Sequence, residues 1–285
     1  MTETIPCRLC GEPSFYQFSK AVLDKHSVRY WRCASCQCLQ TDPPYWLAES
    51  YSTVHAAADA GMVARSWHMA QSASLLLRLA GVRPATPCLD WGGGNGLFCR
   101  MMRDQNYNFA SYDKYAEPFY CAGFAHRDPD ARKYDVVTSF EVFEHLSNPG
   151  AELADILTLD PKLWIFSTQI YAAQDHSWKY LTPHNGRHVF FYSEDGLRNF
   201  AHKHGFHFLR GREIHVMVKR SGHDYLQGGL SRYAAMKLLA GAKPAMAGAA
   251  LNFLSRQRRA HLRWQADSAK ARTISLVSNE KRHEA

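Results

Sequence analysis

Leu89-Asp90-Trp91-Gly92-Gly93-Gly94-Asn95-Gly96 is the stretch on which the reading of this chain turns. It follows a short apolar run, Pro87 to Asp90, and precedes Leu97 to Gln105, which reads as a helix. A strand that turns through glycines at 92, 94 and 96 into a helix lets its backbone approach a ligand where any Cβ would clash. The helix start adds unpaired N–H groups and the positive end of the helix dipole. Asp90 sets a carboxylate beside this loop, where it repels a pyrophosphate and attracts a cationic ligand. Asp113 stands 19 residues beyond Gly94 at the end of the next strand, where an acid accepts from ribose hydroxyls. The two acids together fit a nucleoside bearing a positive group better than NAD.

Outward from the loop the chain alternates. Phe109 to Asp113, Tyr134 to Phe140 and Leu163 to Thr168 read as strands, Ala151 to Leu159 and Ser193 to His204 as helices. Ser193 is a good helix start and Gly205 a good stop. His207 to Leu209 and Ile214 to Lys219 are the last strands, one forming an antiparallel edge. Strands alternating with helices predict a doubly wound, mostly parallel α/β sheet. Residues 54–80, rich in Ala, Met and Leu, predict one or two helices ahead of it.

Upstream, Cys7-Arg-Leu-Cys10 and Cys33-Ala-Ser-Cys36 are two CxxC pairs with 22 residues between them. Two such knuckles supply the four thiolates of a tetrahedral zinc site, and SFYQF and VRYWR between them suit a hairpin. This is the zinc-ribbon pattern, with a closed and therefore structural site. The alternatives are a disulfide pair, disfavoured in a reducing compartment, and a redox site, disfavoured because neither pair opens a helix in a βαβ unit. Cys38 is a spare thiol, and Cys88, Cys99 and Cys121 are expected in the core. Thr41-Asp-Pro-Pro-Tyr separates the ribbon from the rest of the chain.

From about Cys88 to Lys219 the sequence resembles the class I S-adenosylmethionine-dependent methyltransferases. LDWGGGNG matches the first cofactor motif, and YDVVTSFEVFEHL (Tyr134–Leu146) matches the fourth and more specific one. The resemblance implies a Rossmann-like, seven-stranded sheet and a site for S-adenosylmethionine. Asp90, Gly92, Gly94 and Gly96 would lie near the amino-acid moiety, Asp113 would hold the ribose, and Phe140 would join the cofactor site. The acid such proteins carry after a third strand has no clear counterpart in the short, irregular CAGFAHRDPDARKYD, where Asp128 is the candidate for the adenine contact.

Glu141, Glu144 and His145 follow a strand end at i, i+3 and i+4, so a helical turn there would aim all three to one face. Either His145 is a general base, oriented by a carboxylate, or the three bind a second divalent metal with a later histidine, His188 or His184. The metal arrangement is similar to that of the small-RNA methyltransferases. The third alternative is packing without chemistry. His188 belongs to WKYLTPHNGRHVFFYS, which resembles the corresponding region of zinc-ribbon-bearing methyltransferases that act on sugars, glycan precursors and other small metabolites. Its aromatics serve the acceptor or cap the sheet.

The chain has 285 residues, 46% hydrophobic and 21% charged, which excludes wholesale disorder. No apolar run is long enough to span a membrane, and the opening MTETIPCRLC lacks a basic-then-apolar leader, so a cytoplasmic location is expected. The net charge is +8, of which +5 falls after Ser255. That basic tail, preceded by the Ala/Leu-rich stretch from Ser231 to Leu254, reads as a helical appendage or dimer surface, a peripheral contact with anionic lipid, or a nucleic-acid contact. The expected organisation is a zinc ribbon over 1–45, a methyltransferase domain over 46–222 and a basic helical appendage over 223–285. The expected activity is O-methylation of a small metabolite or of a sugar or glycan hydroxyl. The alternatives are an RNA-binding module or RNA 2′-O-methyltransferase, and a sugar C- or N-methyltransferase.

Overall fold

The structure, a computed structural model, describes residues 3–52, 61–129 and 133–220. The tail and the stretch assigned to its appendage helices lie outside these residues. So do residues 54–60 of the predicted leading helices.

In chain order the elements are β1 (Thr4–Pro6), β2 (Pro13–Val22), β3 (His26–Cys33), β4 (Leu39–Thr41), α1 (Leu47–Ser52), α2 (Met62–Leu79), β5 (Pro87–Trp91) and α3 (Leu97–Asp104). They continue as β6 (Asn108–Tyr112), β7 (Val136–Ser139), α4 (Pro149–Thr158), β8 (Leu163–Ser167), β9 (Phe190–Phe191), α5 (Glu194–Lys203), β10 (Phe206–Leu209) and β11 (Ile214–Lys219).

The larger sheet has the order β10-β11-β8-β7-β5-β6. β6, β5, β7 and β8 run parallel, and β11 is antiparallel to both its neighbours. Every residue of β7 and β8 is buried, as expected for strands covered on both faces. The expected seventh strand is absent among the described residues, and one parallel bridge, Ser111 to Ala125, marks its place beside β6. Residues 119–124 instead form a distorted 3-10 turn, so too few residues remain extended to make a ladder. From β5 the chain crosses to β6 on one side, and β7 then pairs on the other. The strand order therefore reverses at the C-terminal edge of β5, where open α/β sheets bind ligands.

Local chemistry accounts for the helices beside this edge. α3 starts from Gly96 in the left-handed region (φ 81°) and buries Phe98, Cys99 and Met102. At α5, Ser193 Oγ accepts from the Gly196 amide at 2.8 Å, and Gly205 (φ 78°) ends the segment, as its sequence predicts.

The second sheet is antiparallel, β1-β2-β3-β4-β9. The two aromatic runs form the β2–β3 hairpin, turning through Leu23 and Asp24, both at positive φ. Its last strand, β9, is contributed by the segment after β8. Cys7, Cys33 and Cys36 pack in one cluster with Phe143, Phe190, Tyr192 and Leu197, so both sheets share a core. Trp178 and Tyr180 pack in a satellite cluster with Val22, Tyr30, Leu39 and Trp46. No helix among the described residues is long and apolar enough to cross a membrane.

Candidate active site

At the end of β5 a half-open cleft faces solvent. Asp90, Gly92, Gly93, Gly94, Asn95, Phe98, Phe140 and Glu141 line one side. Met62, Arg65, Ser66 and Met69 of α2 line the other. Those four α2 residues went unremarked in the sequence. Their i, i+3, i+4, i+7 spacing was the available signal, since it puts them on one helix face.

Asp90 is buried at the floor, where its Oδ1 accepts from Thr138 Oγ1 at 2.8 Å. Burial pushes its carboxyl up to about 7, with Thr138 opposing the shift. Asp113 is turned toward the loop. Its Oδ2 accepts from the Gly94 amide at 2.9 Å, and its Oδ1 accepts from the Tyr115 and Ala116 amides at 2.8 Å each. Phe98 and Phe140 meet edge to face at 4.8 Å. Gly96 leaves no room for a side chain, because a Cβ there would collide with Cys121 Sγ. Asp128 is exposed and does not line the cleft.

The acids and histidine after β7 do not share one face. Glu141 sits at φ 55°, and only Phe143–His145 makes a single 3-10 turn, so the helical alignment expected for the three fails. Glu141 is exposed and lines the cleft, its Oε1 accepting from Ser167 Oγ at 2.8 Å. Glu144 and His145 turn the other way and meet His188, with one ligand-type atom from each of the three within 4.8 Å of the others. His184 is exposed and outside this group.

The cluster is unusual in its hydrogen bonding. Glu144 is fully buried, yet neither carboxylate oxygen has a hydrogen-bond partner in good geometry, although the Tyr180 phenol bears on it weakly. His145 Nδ1 lies 3.1 Å from the Arg187 carbonyl and His188 Nδ1 lies 2.6 Å from the Tyr180 carbonyl. Both Nδ1 atoms therefore carry hydrogen and donate, which leaves both Nε2 atoms as lone-pair donors. Imidazoles oriented in this way by carbonyls are the usual metal ligands. Burial and then the Glu141 carboxylate push Glu144 up to about 7, while burial pulls His188 down to about 4 and lowers His145. A cation among them would favour the ionised carboxylate, and the neutral imidazoles are already in ligand form.

The other constellation is Cys7, Cys10, Cys33 and Cys36, whose sulfurs all lie within 4.8 Å of one another. The Cys7–Cys36 and Cys10–Cys33 sulfurs are 3.6 and 3.5 Å apart. That exceeds the roughly 2.05 Å of a disulfide and is close to the ~3.8 Å edge of a tetrahedron with zinc–sulfur bonds of ~2.3 Å. Cys38 stands outside the group, its sulfur accepting from the Ser193 amide at 3.4 Å. Cys88, Cys99 and Cys121 are buried, as expected.

Residues 64–210 match the model of a family described as a methyltransferase domain. The match spans half of the chain, and the protein belongs to that family. It is an S-adenosylmethionine-dependent methyltransferase with a Rossmann-like α/β fold. Among solved structures it is similar to magnesium protoporphyrin IX methyltransferase of Synechocystis PCC 6803 with bound S-adenosylhomocysteine (16% identity, 62% of this chain and 95% of that one, TM-score 0.44). It is similar also to the 1,6-didemethyltoxoflavin-N1-methyltransferase of Burkholderia thailandensis (14% identity, 70% and 97%, TM-score 0.47). A third is the methyltransferase domain of bacterial CtHen1-C (18% identity, 52% and 96%, TM-score 0.37). No curated protein matches this chain.

Proposed function

We propose that this methyltransferase is an O-methyltransferase acting on a hydroxyl of a small metabolite, sugar or glycan. In this reading Glu144, His145 and His188 hold a divalent metal beside the acceptor, and Cys7, Cys10, Cys33 and Cys36 hold structural zinc. The observation that carries the reading is the buried carboxylate of Glu144, touched weakly by the Tyr180 phenol and facing two histidines whose Nδ1 protons are already committed. Such a carboxylate is costly without a cation.

The ammonium of the cofactor's amino-acid moiety would lie against Asp90 and Glu141, and Gly92, Gly94 and Gly96 would let the backbone close on it. Asp113 keeps the glycine loop in place and would accept from the ribose hydroxyls, while Phe140 would pack against the nucleoside. A metal at the cluster supplies Lewis acidity that lowers the pKa of an acceptor hydroxyl. Glu144 offers it charge, and the two imidazoles are held in the ligand tautomer by carbonyls. The rest of catalysis is positioning for in-line attack on a sulfonium, which needs little further activation.

Methyl transfer from labelled S-adenosylmethionine tests this against hydroxylated metabolites, sugars, nucleotide-linked ketoses and RNA, each with Mn²⁺ or EDTA. Metal-dependent labelling of a small-molecule hydroxyl is expected. Labelling confined to RNA, to carbon, or indifferent to EDTA contradicts it.

The buried Asp90 gives a pH prediction. Its carboxyl is neutral below about 7 and charged above, and a cationic ligand binds the charged form. Affinity for S-adenosylmethionine is expected to strengthen from pH 5.5 to 7, by up to roughly tenfold per unit, and then to level off. Calorimetry across that range checks it, and an Asp90→Asn variant should lose the slope.

A further inference from the structure

We infer that Arg8, inside the first cysteine knuckle, is a positioning residue that ties the knuckle to the Glu144–His145–His188 cluster. The inference rests on the reading that this cluster holds a divalent metal. Within Cys7-Arg8-Leu9-Cys10 the cysteines face one another, and the residues between them are free to reach outward. Arg8 Nη1 donates to the Ser147 carbonyl at 2.9 Å, two residues beyond His145. Its Nη2 donates to the Val189 carbonyl at 2.6 Å, the residue after His188. One planar guanidinium therefore bridges the two segments that carry the cluster. Those segments touch directly as well, since the Val189 amide donates to the Glu144 carbonyl at 2.8 Å.

The fork is itself held from behind. Gln40 Oε1 accepts from the Arg8 amide at 2.9 Å and from Nε at 3.3 Å, and the Gln40 side-chain amide donates to the Pro6 carbonyl at 2.9 Å. Nη2 also reaches the Thr41 carbonyl at 3.2 Å. The Arg8 carbonyl accepts from the Gly150 amide at 3.1 Å, and a Cβ on Gly150 would come within 2.9 Å of it, so the knuckle backbone is seated on the first turn of α4. The hydrogen-bond acceptors around the guanidinium are neutral oxygens of four residues. This suits a fixed spacer better than an ion pair, and a lysine cannot reproduce five donors in one plane.

If Arg8 positions the cluster, its loss should weaken metal binding there and spare the other two sites. The test uses full-length, zinc-loaded wild type with Arg8→Ala, Arg8→Lys and Glu144→Ala. Zinc content, S-adenosylhomocysteine affinity by calorimetry and Mn²⁺ affinity by electron paramagnetic resonance are read in each. Both Arg8 variants are expected to keep zinc and nucleoside affinity while binding Mn²⁺ roughly 10–100-fold more weakly, the lysine variant less so. Millimolar guanidinium is expected to restore Mn²⁺ binding to Arg8→Ala. Should Arg8→Ala not fold, Arg8→Lys decides. Wild-type Mn²⁺ affinity in the Arg8 variants, with loss in Glu144→Ala, overturns the role of Arg8 and leaves the cluster reading standing. Parallel loss of all three readouts in both Arg8 variants marks mere attachment of the ribbon and also overturns it. No Mn²⁺ binding in wild type, or undiminished binding in Glu144→Ala, overturns the cluster reading itself.

Discussion

Stripping the zinc proposed for the four cysteines is expected to unfold the whole described body in one transition. Cys7, Cys33 and Cys36 pack against Phe143, Phe190, Tyr192 and Leu197, so the thiols form one wall of the core that also holds the active-site segments. The ribbon's sheet takes its last strand from beyond β8 and cannot detach without breaking the β4–β9 pairing. Four crowded thiolates without a cation are poorly accommodated, as burial pushes Cys10 up to about 11 and the Cys36 thiol, with burial, pushes Cys7 higher still. A structural zinc site contributes on the order of 10 kcal/mol in small domains, against a total stability of ~5–15 kcal/mol. Chelator-treated protein, or Cys33→Ser, should therefore lose roughly 20–40 °C in Tm or fail to fold. Calorimetry that shows two separate transitions, with the methyltransferase part melting unchanged, contradicts a shared core.

The second large effect is expected at Gly93. A methyl group there would fall on Ser111 Oγ and within 2.7 Å of Asp90 Oδ2, both buried in the floor of the cleft. Neither neighbour is the free end of a long side chain, so the loop itself must shift. Gly93→Ala is expected to weaken S-adenosylhomocysteine binding by more than about 100-fold while leaving zinc and Mn²⁺ affinity near wild type, since a displaced loop loses several hydrogen bonds to the ligand at once. Calorimetry reads the first quantity and metal titration the others. Unchanged nucleoside affinity would place the cofactor elsewhere.

Local signals carried much of this architecture into the sequence. The glycine turn, the paired knuckles, the Ser193 cap and the alternation of strands and helices each depend on residues within one element or its next neighbour. What depended on tertiary placement was not legible. The positive φ of Glu141 splits a motif that reads as one helical face, sending Glu141 to the cleft and Glu144 with His145 to His188. The two-residue strand β9 is too short to stand out, yet its pairing with β4 carries the antiparallel sheet onto the segment after β8. Arg8 looks like a spacer between two metal ligands. Its reach to Val189, 181 residues away, exists only in the folded chain.

The proposed chemistry stands on a divalent metal held among Glu144, His145 and His188, beside a nucleoside cleft that does not need it. Mn²⁺ titration of zinc-loaded wild type and Glu144→Ala, each followed by calorimetric binding of S-adenosylhomocysteine, measures this. One bound Mn²⁺ per wild-type chain, at least roughly 100-fold weaker binding in the variant, and equal nucleoside affinity in both are predicted. Equal Mn²⁺ binding by the two proteins, or none by either, would contradict it.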